Sequence, residues 1–256
     1  MYLWKYWRDT RIVFASALIG VALLLLLVTQ AHSEVVINGR PFALDQLGTL
    51  LPLVLFIQAV PVGFVAWLLG SYGAGRELGE KSGSFLFSRP RSRAFFIWSD
   101  WGFGMVQLLT IVTALNLVIG LMFHRLMRAA GDPFHGSLVY AGQPVSLAAV
   151  VCANIAAALL LAALVFSLTY FATIVLKSSR GVMLAIGILL GYILLGAIVK
   201  HYSSVELPAI IPPEFASMGA GGQVFVDHIG LLFTIRAAVI LLFPFAAHFV
   251  LQKADL

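Results

Sequence analysis

Six histidines, one cysteine and eleven acidic residues supply most of the metal ligands and acid–base groups this chain could use. Apart from His32 at the very end of the run 12–33, only His248 falls inside an apolar run, so the paired axial ligands of a membrane haem protein are missing from any bilayer segment. His248 reads as a packed or interface-facing side chain. No HExxH and no GxSxG pattern occurs, which removes the zincin and α/β-hydrolase signatures. Cys152 is single, so neither a disulfide nor a thiolate metal site can form within one chain. His124, Arg125, Arg128, Asp132 and His135 form one polar cluster that an enzyme acting on lipid could use, although such residues at a span end are ordinarily loop residues.

One stretch imitates a phosphate-binding loop. Gly75-Arg76-Glu77-Leu78-Gly79-Glu80-Lys81-Ser82 holds two glycines and ends in Lys-Ser. A phosphate loop needs four residues between its glycines and a glycine directly before the lysine, so that consecutive amides curl around the phosphate. Here Glu80 intervenes and would set a carboxylate beside the phosphate. The chain is expected to bind no ATP by itself.

The elements that must carry any activity are set by composition. Of 256 residues, 61% are hydrophobic and only 11% charged, with a mean hydropathy of +1.00. A soluble domain carries roughly 25% charged residues, so too few are present to cover a compact globule in water. The expected fold is all-α and polytopic, with lipid covering the exterior. The net charge of +5 does not point to nucleic acid, because the cations sort by side of a membrane.

Crossing a bilayer takes about 20 apolar residues. Runs without charge at 12–33, 46–75, 101–123, 145–176 and 181–199 predict five spans. Pro52 and Pro61 should kink the second. A sixth run, 237–252, is short, and becomes a span if Arg236 lies near an interface with its guanidinium extended toward headgroups. Arg236 has a second reading, a contact to an anionic substrate or headgroup in a translocation path. Residues 1–11, rich in Trp, Tyr, Lys and Arg, predict an N-terminal interfacial helix on the membrane lipids, ahead of a six-helix transmembrane domain over 12–256. The Pro- and Gly-rich segment 201–228 is expected to form an outer, partly buried hairpin. Lys5, Arg8, Arg11, Arg76, Lys81, Arg89, Arg91, Arg93, Lys177, Arg180 and Lys253 fall on one side of these spans, against Arg40, Arg125, Arg128 and Lys200 on the other. The first side is therefore expected to be cytoplasmic, with both termini on it.

The loop 76–93 is the most informative segment. It joins Arg76-Glu77 to Gly83-Ser84, an apolar Phe85-Leu86-Phe87 and then Ser88-Arg89-Pro90-Arg91-Ser92-Arg93. This order resembles the cytoplasmic loop of ABC-2 type transporter permeases, departing from it in the insert 78–82. The resemblance extends over the whole chain through the six expected spans, the interfacial helix and the outer hairpin. It implies a cytoplasmic coupling helix over 76–93 that enters a cleft on cytosolic ABC ATPase subunits through Arg76, Glu77, Phe85, Leu86, Phe87, Arg89, Arg91 and Arg93. It further implies a second permease subunit, identical or paralogous, completing the translocation path. ATP and Mg would lie on the ATPase, with no cofactor on this chain, and the setting would be the cytoplasmic (inner) membrane of a prokaryote.

Two other classes remain open. An ion-coupled secondary transporter would need no ATPase, but it usually places ionisable groups at mid-membrane and often shows internal repeats, and neither stands out here. A membrane enzyme acting on lipid would rest on the His124 to His135 cluster. Gln107, Asn116, Asn154, Thr169 and Thr173 lie inside spans, where hydrogen bonding between helices is their expected role. Gly187, Gly191 and Gly196 permit close helix approach, within the chain or between subunits.

Overall fold

The computed structural model describes residues 2–30, 36–37, 40–41, 58–72, 76, 78, 93–129, 138–140, 143–145, 147–178, 180–202 and 229–253. The architecture is helical: α1 (Tyr2–Gln30), α2 (Gln58–Gly70), α3 (Arg93–Ala129), α4 (Leu147–Val175), α5 (Gly181–Tyr202) and α6 (Ile229–Lys253). Two short antiparallel ribbons decorate the connections, β1 (Val36–Ile37) with β2 (Arg40–Pro41) and β3 (Leu138–Tyr140) with β4 (Gln143–Val145). Four stretches are long and apolar enough to cross a membrane: Trp4–Gln30, Ala94–Arg125, Ile155–Val175 and Thr234–Gln252. Gln58–Gly70 and Gly181–Tyr192 are shorter apolar helices. Residues 2–11 continue without a break into the apolar residues that follow, as one helix to Gln30.

Contacts fix the direction of every helix. Tyr6 meets Phe103 at the start of α1, and Arg125 bonds Val28 near its end, so α1 and α3 run parallel. Trp101 bonds Ser167, whereas Gly120 lies against Val151, so α4 runs antiparallel to α3. Leu69, at the end of α2, accepts a hydrogen bond from Tyr6 Oη. Gly181 opens α5 against Thr173 at the end of α4, and Ala185 packs with Leu168 and Ala172 further back. In α6 the late residues Ala247 and Leu251 join Ile97, Tyr170 and Ile174. The six helices thus alternate in direction, and the first turn of α1 and last turn of α6 share one end. Lys5, Arg8, Arg11, Arg76, Lys177 and Arg180 are at that end, hereafter the basic end, while Arg125 and Arg128 close α3 at the far end. All five tryptophans are near the basic end too: Trp4 and Trp7 in the first turns of α1, Trp67 late in α2, Trp98 and Trp101 early in α3.

The core sits on α4. Its span is the most enclosed of the four candidates, and α3, α5 and α6 all pack on it. Val62, Ala66 and Leu69 of α2 meet Leu108 and Val112 of α3 and Ala158, Ala162 and Phe166 of α4. Around this core the exterior is apolar: Ile19, Leu23, Phe64, Leu117, Leu194, Leu242 and Phe249 are all exposed. That inversion suits a chain solvated by lipid tails, in which helices associate by close packing and hydrogen bonds, without a hydrophobic drive between them. Small residues supply the close packing. At Gly70 a Cβ would lie 2.7 Å from the Phe166 carbonyl, and at Gly181 2.4 Å from Thr173 backbone atoms. The second contact belongs to the tight α4–α5 turn, where Lys177 takes a φ of 46°.

Candidate coupling loop and buried polar residues

Two regions carry the chemistry that the sequence singles out. The first is the connection from α2 to α3, which leaves and re-enters the bundle at the basic end. Arg76 stacks its guanidinium over Tyr72, 5.5 Å from the ring centroid, a cation–π geometry that shields part of its charge. Leu78 packs on the cluster of Ile97, Tyr170, Ile174, Ala247 and Leu251, tying the start of the loop to α3, α4 and α6. Arg93 is the first residue of α3. Glu77, Phe85, Leu86, Phe87, Arg89 and Arg91 lie outside the described residues.

The second region is a buried polar column between α1, α2, α3 and α4. Thr10, fully enclosed, donates from Oγ1 to the Tyr6 carbonyl at 2.9 Å and accepts from Gln107 Nε2 at 3.0 Å. Tyr6, at 3% exposure, is core and not a headgroup-facing aromatic; its ring also meets Phe103 edge-on. Trp101 Nε1 donates to Ser167 Oγ at 2.8 Å, and Tyr170 Oη reaches the Ile97 carbonyl at 3.4 Å. Asp100 is buried in the same layer. Gln58 and Asn116 are buried further toward the far end. Thr169 and Thr173 bond back to carbonyls of their own helix, Val165 and Tyr170, a habit of hydroxyls in helices that lack a better acceptor.

Arg236 occupies an inward stripe. Ile240, Ala247 and Leu251, four, eleven and fifteen positions on, are buried, while Ile235, Val239, Leu242 and Phe249 face outward. Its Nη1 is buried, while the residue as a whole is half-buried. Phe245 meets Trp98 at 5.0 Å in an antiparallel pair of helices, so Arg236 lies about 13 Å from that contact, level with Gln107. Arg125 is roughly 27 Å further along α3.

At the far end Arg125 is not an idle loop cation. Its Nη1 donates to the carbonyls of Val28 at 2.7 Å and Thr29 at 3.1 Å, in the last turn of α1. Of the other members of this polar cluster, Arg128 is exposed and His124 half-buried, and Asp132 and His135 lie outside the described residues. His248 pairs with Gln252 at 2.9 Å, one turn apart on α6. Among the described residues no group of three or more His, Cys, Asp or Glu could hold a metal ion. Compared with models of known families, with curated proteins and with solved structures, the chain matches none.

Proposed function

We propose that this chain is the membrane-spanning permease subunit of an ABC-2 type transporter, half of an export path driven by separate cytosolic ATPase subunits. One observation carries the reading: the motif sequence of 76–93, ending in Ser88-Arg89-Pro90-Arg91-Ser92-Arg93, lies between two helices whose ends are both at the basic end. That is the end a cytosolic partner would meet under the positive-inside rule. On this reading the chain crosses the bilayer six times: α5, at 22 residues, is about 33 Å long, enough for one crossing, while α2 as described covers about 20 Å and the apolar residues that precede it would complete the second. Force from an ATPase pair closing on ATP would enter at the loop and pass directly into α2 and α3. Arg236, a cation on the inward stripe of α6, is the side chain best set to meet an anionic group in transit. Gly187 and Gly191 have open space before their α-carbons, leaving room for a helix of a second permease subunit.

The test is assembly with an ABC ATPase, sought first among the genes that adjoin the one for this chain. The purified chain alone should neither bind nor hydrolyse ATP, and adding the partner should create hydrolysis. Phe85→Ala/Leu86→Ala removes up to about 3 to 6 kcal/mol of buried contact if both side chains enter a cleft, and should abolish co-purification. Normal assembly and transport by that variant would reduce the loop to a basic segment on lipid headgroups. A second reading, an ion-coupled carrier, draws on Asp100, a fully buried carboxylate in α3. Transport by the chain without any ATPase, lost in Asp100→Asn, would favour it.

A further inference from the structure

Contacts at three well-separated levels join α1 to α3, and their sequence offsets agree to within one position. Tyr6 meets Phe103, Thr10 accepts from Gln107, and Val28 accepts from Arg125, each pair 97 positions apart. Two helices that keep one offset from Tyr6 to Val28 run side by side for about 33 Å without slipping or splaying.

Different chemistry holds the two ends. Near the basic end the Thr10–Gln107 bond is buried, where neither partner can turn to water. At the far end one nitrogen of Arg125 serves two carbonyls that the last turn of α1 leaves without helical partners. A cation there also opposes the partial negative charge of a helix C-terminus. α5 offers a contrast: its described packing is on α4, through Ala185 and Leu189, with Gly187 and Gly191 facing open space.

We propose that α1 and α3 move as one rigid body, and that Arg125 is the positioning residue that latches them at the far end. Force applied to the start of α3 then reaches the end of α1 through that latch. Without it α1 pivots about the Thr10–Gln107 contact and swings free beyond it. The part of this inference that concerns a transport cycle rests on the permease reading; the latch itself does not.

Spin-label distances in lipid nanodiscs test both parts, in a Cys152→Ala background. Leu26→Cys with Leu121→Cys reports the far end, and Ile12→Cys with Val106→Cys the near end; all four positions are exposed. The parent should give one narrow distance at each end. Arg125→Ala should broaden and lengthen the far-end distance while leaving the near-end one narrow, a pattern that general unfolding would not produce. Arg125→Lys, which keeps charge and donors on a shorter stem, should stay close to the parent. In the complex with the ATPase, the far-end distance should change by less than about 2 Å between nucleotide-free and ATP-trapped states. An unchanged distribution in Arg125→Ala overturns the latch, and a larger shift across the cycle overturns the rigid pair. If no ATPase associates, the permease reading fails while the Arg125→Ala comparison still decides the latch.

Discussion

At Gly104 of α3, side chains of both α1 and α4 press against the backbone, and adding one methyl group there is a direct trial of the packing. A Cβ at Gly104 would lie 2.3 Å from Phe166 Cζ, 2.7 Å from Cε2 and 2.9 Å from Tyr6 Oη. Carbon atoms in contact sit about 3.6 Å apart, so the ring would have to withdraw by roughly 1.3 Å. It has nowhere to go: Phe166 is 0% exposed and stacks at 6.0 Å on Tyr170, itself fully enclosed. Overpacking of this kind costs about 1 to 3 kcal/mol, against which the better helix propensity of alanine returns at most about 1 kcal/mol. An approach of 2.3 Å belongs at the upper end of that cost, so Gly104→Ala should lose about 2 kcal/mol net, and Gly104→Val more. Phe166→Leu removes the ring tip and destabilises on its own by leaving a cavity. Combined with Gly104→Ala it should recover part of the loss, with a coupling of about 1 kcal/mol or more. Reversible unfolding in mixed micelles, followed by circular dichroism, measures the four variants against the parent. Gly104→Ala as stable as the parent, or strict additivity in the double variant, would refute the three-helix packing described above.

Orientation is open to labelling. In a Cys152→Ala background, an impermeant reagent added to intact cells should modify Asn38→Cys and spare Ser178→Cys; the reverse pattern would place the basic end outside. Arg236→Leu should assemble normally yet lose transport, with Arg236→Lys intermediate because a point charge replaces a planar fork. Full transport by Arg236→Leu in proteoliposomes would make the inward stripe of α6 a matter of packing alone.

The apolar runs were legible because the bilayer sets a length that composition alone must satisfy, and the runs at 12–33, 101–123 and 145–176 fall within α1, α3 and α4 apart from a few residues at their edges. What could not be read was which helices lie side by side, since periodicity says nothing about neighbours when both faces of a helix are apolar. Tyr6 shows the consequence. Among Trp4, Lys5, Trp7 and Arg8 it reads as one more interfacial aromatic, yet α2 and α3 enclose it. Arg125 reads as a loop charge for the same reason: its acceptors are main-chain carbonyls, which no side-chain pattern advertises. Gln107 did take the expected role, bonding across to another helix, whereas Thr169 and Thr173 turned back on their own. The expected loop residues Glu77, Phe85, Leu86, Phe87, Arg89 and Arg91, and most of the 201–228 hairpin, fall outside the described residues.

The crowding of all five indoles near the basic end makes the chain an optical gauge of that end alone. Emission from Trp4, 65% exposed, should respond to a quencher dissolved in water, while Trp101, bonded to Ser167, is shielded from it. No indole lies near Arg125, so the far end contributes nothing to the signal. A change in emission colour on adding a cytosolic partner or nucleotide would thus report events around α1, α2 and α3 where they face the α2–α3 connection, with no dye attached.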